Sequence, residues 1–299
     1  MKKFTISHSI KDLWNALPLL IKALVSGMVV SSVGVFTWGG LLSRFPAAWV
    51  VIPMTVILWV YCKYYSGSWG SKQTAKSRRT WFRPVNLSAH GWKYGIAAAI
   101  LFVVIVQASF VLTFRVIKFP AAQFTADYKA LDNFPLWAAF VILIMSSIVA
   151  GICEEAGFRG YMQVPLEKKY GPVIAITVTS LCFTAIHLGH TWALPILPHI
   201  FFASVLLGVI AWRSGSLIPG IIGHSILDIF DYSVWWTNIT GGFKHQPISK
   251  TGVDFHFIVW VAIFSVSIYL FFLVIRKLNK RESPQAITQQ SGLQLINGR

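Results

Sequence analysis

Acidic side chains are scarce in this chain. It has ten Asp and Glu among 299 residues, and charged residues of both signs make up only 12%. A soluble domain of this length could bury a large core, but it would need a far more polar surface. A soluble globular protein is therefore excluded. Cysteine is scarce too: Cys62, Cys153 and Cys182 stand at irregular spacing and give neither a disulfide framework nor a CxxC metal pattern. They read as packing residues. The HExxH signature, by which one helix supplies two zinc ligands and a base, is absent. No internal repeat is visible. No small-residue cleavage site ends the first apolar stretch, so "MKKFTISHSIKDLWNALPLL" leads into a first membrane span and is not a cleavable signal.

Apolar sequence is abundant instead, at 55% hydrophobic residues and a mean hydropathy of +0.63. Spans of roughly 20 apolar residues are expected near 15–40, 46–66, 94–117, 134–163, 172–190, 193–213, 217–238 and 256–276. They are long and continuous, whereas barrel strands are short and alternating. The expected fold is an all-α polytopic membrane protein of about eight transmembrane helices. Residues 1–281 form a single membrane-embedded domain, and 282–299 a polar, disordered cytoplasmic tail.

The net charge of +16 could point to nucleic acid, but its distribution points elsewhere. Eighteen Lys and Arg fall in alternate loops, among them Lys2, Lys3, Lys72, Arg78, Arg83, Lys168, Arg213 and Arg276, against six in the opposite loops. That is the positive-inside pattern for an even number of spans in an inner (plasma) membrane, with both termini cytoplasmic. The basic loop "KQTAKSRRTWFR" sets topology and meets anionic lipid headgroups. Membrane lipids are expected partners and nucleic acid is not. Trp69, Trp81, Trp92, Trp137, Trp235 and Trp236 lie near span ends or in loops, as an interfacial belt does.

Ionisable residues that persist inside spans are functional candidates, because the bilayer penalises them. They are Lys22, Glu154, Glu155, Arg159, His187, His199, His224, Asp228 and Asp231. In "GICEEAGFRG", Glu155 and Arg159 are four apart and stack on one helical face. Glu154 lies about 100° around that helix, so one glutamate can be structural while the other does chemistry. The plainer reading of this stretch is an ion-paired helix end. In "FTAIH", Phe183 and His187 share a face. In "GHSILDIF", His224 and Asp228 do the same. A lone buried histidine is more often a hydrogen-bonded core residue than a catalyst. Three separate spans that each carry an acid or a histidine, however, are cheaper to bury in one shared polar pocket than apart. A Glu, two His and an Asp in one pocket can activate a water and stabilise an oxyanion. That is the equipment of a hydrolase. His199 reads as structural, Asp231 and Asn238 as interfacial, and Lys22 as snorkelling to a headgroup.

The motifs EExxxR (Glu154, Glu155, Arg159), FxxxH (Phe183, His187) and HxxxD (His224, Asp228) occur in that order. Together with "ASVLLGVIAWRSGSLIPGIIGHSILD" they resemble the CAAX-prenyl-protease and bacteriocin-processing family of intramembrane endopeptidases, also called abortive-infection or CPBP proteins. The resemblance covers about 135–240, the expected catalytic block. It implies an eight-helix fold that cuts a membrane-associated, prenylated or precursor peptide. It also implies that Glu154 and His187 activate the water, that His224 and residue 228 hold the oxyanion, and that Glu155 and Arg159 support the site. Eukaryotic members have Asn where this chain has Asp228. An ionised carboxylate cannot donate to an oxyanion, so Asp228 is either protonated or an acceptor that orients His224.

No cofactor is expected. The nearest rival is a zinc site of Glu154, His187 and His224 with an open water position. A transport protein, or a non-catalytic immunity or scaffolding protein, would also carry polar residues inside its spans. Access to the site is expected from the cytoplasm or laterally from the inner leaflet.

Overall fold

The computed structural model describes residues 12–83, 87–190, 193–236 and 243–278. The expectations for Lys2, Lys3, Asn238 and the 282–299 tail lie outside these residues. So do those for the side chains of Trp235 and Trp236. Among the described residues there are helices and no strands, so the chain is an all-α polytopic membrane protein.

The long helices are α1 (Leu19–Arg44), α2 (Val51–Tyr65), α4 (Ala89–Val116), α6 (Leu136–Glu154), α8 (Pro172–Ile186), α9 (Ala193–Ser214) and α12 (Phe255–Lys277). Between them lie the shorter α3 (Lys72–Phe82), α5 (Ala121–Tyr128), α7 (Gln163–Tyr170), α10 (Ile218–Asp231) and α11 (Ile248–Thr251). Among the described residues seven helical segments are long and apolar enough to cross a membrane. The expected eighth, 217–238, is different. Its α-helix α10 has 14 residues, about 21 Å at 1.5 Å each, and continues as a π-helical stretch, Tyr232–Trp236.

Two sets of contacts mark the ends of the bundle. At one end His90 on α4 meets the Lys277 carbonyl of α12 at 3.1 Å, Arg213 of α9 reaches the Ile275 carbonyl, and Arg83 pairs with Glu167 of α7 at 2.5 Å. This is the basic end. At the other end Arg115, fully buried at the close of α4, holds Asp254 at the start of α12 at 2.8 Å. Two basic residues of the topology loop are more than headgroup contacts. Arg78 is buried and donates to the carbonyls of Tyr64, Trp69 and Ser71, and Arg83 is buried against Glu167. Lys22 donates to the Asn15 carbonyl at 2.8 Å.

The segment from Leu136 to Tyr170 is one continuous helical element, but its middle, Glu155–Met162, is π-helical. A π stretch makes i→i+5 bonds and widens the turn, and such stretches are frequent at functional sites. Its small residues let another helix come close. A Cβ on Gly157 would stand 2.5 Å from the Gly27 carbonyl oxygen and 2.7 Å from Ser31 Cβ of α1. Small residues that allow backbones to touch are the usual glue between helices in lipid. α10 is pinned against α6 in the same manner, since a Cβ on Gly151 would meet Ser225 Oγ at 2.2 Å. At the end of α7, Gly171 (φ +82) breaks the helix and Pro172 starts α8, the usual order of these two residues at a helix junction. The turn sends α8 back toward the far end, with His187 at its close.

Candidate active site

Glu155 and Arg159 are both fully buried and pair at 2.9 Å. The expected stacking of the two is found, although the helix there is π. Arg159 also donates to Ser204 Oγ of α9 at 2.8 Å, and its guanidinium lies over the Phe183 ring of α8 at 4.5 Å. One buried cation thus ties three helical elements together. A buried guanidinium is tolerable only when its charge is matched in this way.

The same carboxylate has a second partner that sequence reasoning missed. His224 Nδ1 lies 3.0 Å from Glu155 Oε1. A carboxylate can only accept, so Nδ1 carries the hydrogen. The other ring nitrogen, Nε2, stands 3.9 Å from Glu154 Oε2 and 3.7 Å from Asp228 Oδ2. Both exceed hydrogen-bond length. Nε2 therefore faces two carboxyl groups across a gap that a substrate oxygen or a water can enter. Sequence spacing gave no sign of the Glu155–His224 contact, because it joins residues 69 apart on different helices.

His187 comes from the end of α8. Its Nδ1 donates to the Phe183 carbonyl at 2.8 Å, which assigns the lone pair to Nε2. Phe183, already under Arg159, lies 4.9 Å from the His187 ring and 6.1 Å from the His224 ring. It spaces the two histidines from within the apolar core.

Glu154, His187, His224 and Asp228 all line one cavity of about 200 Å³. Glu155 and Arg159 lie behind it. His199 and Asp231, set aside on sequence as structural and interfacial, line the same cavity, as does the exposed His190. His199 Nδ1 is 3.1 Å from Ser109 Oγ, and Asp231 accepts from Gln107 of α4. A signal for Asp231 was present, since His224, Asp228 and Asp231 follow i, i+4, i+7 spacing on one face.

The cavity lies toward the end opposite the basic loops. His187 and His190 stand where α8 gives way to α9, and Asp231 and Tyr232 at the close of α10. Access from the cytoplasm or laterally from the inner leaflet was expected because the Glu154 end of its span points toward the basic loops. In the structure Glu154 is close to the middle of a 35-residue span, and the walls beside it continue the other way.

A zinc site needs three ligands aimed at one point. Among the described residues no three His, Cys, Asp or Glu side chains converge in that way.

Residues 135–230 match the family described as type II CAAX prenyl endopeptidase Rce1-like. The match contains all three motifs, and it supports a CAAX-type intramembrane protease as the general class. No curated protein and no solved structure matches the chain.

Proposed function

We propose that this chain, whose 135–230 block belongs to the CAAX-prenyl-protease and bacteriocin-processing family, hydrolyses a peptide bond of a membrane-associated, prenylated or precursor peptide. Glu154 is the general base. A water held between Glu154 and His187 loses a proton to Glu154, and its oxygen attacks the scissile carbonyl. The carbonyl becomes a tetrahedral oxyanion in the gap at His224 Nε2, where the doubly protonated imidazole donates to it. The carbon–nitrogen bond then breaks, and the leaving amine takes the proton back from Glu154. Water and side chains supply every step, so no cofactor is needed.

The observation that carries this reading is the clamped imidazole. Glu155 holds His224 by Nδ1, leaving Nε2 aimed across the cavity that Glu154 and His187 also line. Arg159 keeps Glu155 in place from behind. Asp228, at 3.7 Å from Nε2, orients the ring by its charge.

The membrane-embedded unit, residues 1–281, sits in the inner (plasma) membrane with its basic end in the cytoplasm. The cavity then opens into the outer half of the bilayer, and the peptide reaches it from that side or laterally from the lipid.

The test uses purified protein in detergent, a library of membrane-anchored fluorogenic peptides, and mass spectrometry of the products. The expected result is a pair of fragments differing from the parent by one water, formed equally with and without a strong chelator. Loss of all cleavage on chelation, restored by zinc, would overturn the metal-independent mechanism.

A further inference from the structure

The cavity extends past the four residues assigned to chemistry. Asp231 lies seven residues after His224 on the same face of α10, about 10 Å further along the axis. Its carboxyl accepts from Gln107 Nε2 of α4, and Val106, Phe110, Ile196 and His199 line the same cavity.

Carboxyl groups line this space, with no Lys or Arg beside them among the described residues. Glu155 is matched by Arg159. Glu154, Asp228 and Asp231 line the cavity, and no Lys or Arg among the described residues lines it with them. A space lined by three carboxyl groups and, among the described residues, no Lys or Arg favours a cationic group on a ligand, and in a low-dielectric setting that attraction is strongly felt. A lysine or arginine arriving beside Asp231 supplies a positive partner for its carboxyl group. The distance sets the register, since an extended peptide advances about 3.3 Å per residue. About 10 Å from the reacting centre is roughly three residues.

We propose that Asp231, held by Gln107, is a specificity residue that receives a Lys or Arg side chain three residues from the bond that is cut. This rests on the protease reading and names its substrate class, a peptide with a basic residue near the cleavage site.

The test scans lysine against norleucine through five positions on each side of the cut in the membrane-anchored peptides. It compares wild type with Asp231→Asn and Asp231→Glu, and Asp231→Ser replaces the Asn variant if that one does not fold. In wild type, one position close to three residues from the cut prefers lysine by about tenfold or more in kcat/KM, and the preference falls to near one in Asp231→Asn and survives in Asp231→Glu. Fluorescence anisotropy with the Glu154→Gln protein measures the same preference as binding, independent of turnover. Equal preference for lysine and norleucine in wild type, or a lysine preference that Asp231→Asn leaves intact, overturns the subsite. Cleavage lost in Glu154→Gln beside such a result leaves the protease reading standing. Cleavage kept in Glu154→Gln overturns that reading, and the binding measurement then decides the subsite.

Discussion

Glu155 Oε1 is 2.9 Å from Arg159 and 3.0 Å from His224 Nδ1, so the carboxylate that neutralises the buried arginine is also the one that aims the histidine. Adjacent glutamates divide the work. Glu154 faces the cavity, and Glu155 is walled off behind it with no exposed surface.

Removing Arg159 should therefore be worse than removing the pair. Arg159→Met leaves Glu155 as a buried charge with His224 as its remaining partner, which costs roughly 3–5 kcal/mol. Arg159→Met combined with Glu155→Gln should recover part of that loss. Thermal unfolding in detergent measures both. A double variant less stable than the single one would contradict the pairing.

The contact between α1 and the π stretch should be equally sensitive. Gly157→Ala places a Cβ against the Gly27 carbonyl at 2.5 Å, and both neighbours there are backbone or Cβ atoms that cannot swing away. Overpacking of this kind costs about 1–3 kcal/mol. Because the displaced segment carries Glu155 and Arg159, proteolytic rate should fall together with thermal stability. An unchanged melting temperature would show that α1 does not hold the site.

At the far end of the bundle, Arg115 beside Asp254 holds that carboxyl down at about 2. Asp254 also caps α12 by accepting from the Phe257 backbone N–H at 2.9 Å. A depressed carboxyl stabilises the fold above its ordinary value near 4 and loses that contribution as pH falls through about 2. Stability should be flat in this respect from pH 7 to 4 and drop below. Asp254→Asn should remove the acid limb and lower stability at neutral pH. An identical acid limb in the variant would assign it to other groups.

His187 and Phe183 separate in the same kind of test. His187→Ala should lose about 10²–10⁴-fold in turnover with little change in stability, since the side chain is only half-buried. Phe183→Ala removes a buried ring from between Arg159 and both histidines and should lose about 3–5 kcal/mol of stability. Turnover and melting temperature measured on both variants check the division, and a destabilised His187→Ala would contradict it.

Much of this site was legible in the sequence because lipid makes polar residues conspicuous. Glu154, Glu155, Arg159, His187, His224 and Asp228 stood out against apolar spans, and i, i+4 spacing assigned the Glu155–Arg159 pair. What spacing cannot give is contact between helices, and so the Glu155–His224 bond and the role of Gln107 emerged only from the fold. The π stretch was hidden because the apolar pattern of a span is the same for α and π turns. Position along the helix misled at one point. Asp231 looked interfacial because it falls toward the far end of its span, yet the cavity runs toward that very end, and His199, read as structural, lines it too. The change of α10 from α to π geometry after Asp231 was hidden for the same reason as the first π stretch, since its apolar run continues past that residue.

The central claim is that Glu154 takes the proton from the attacking water. Single-turnover cleavage of one membrane-anchored peptide by wild type and by Glu154→Gln, each shown to be folded by its melting temperature, tests it most directly. The account predicts that the Gln variant melts within a few degrees of wild type and cleaves at least 10²–10⁴-fold more slowly. A well-folded Glu154→Gln protein that cleaves at near the wild-type rate would contradict it.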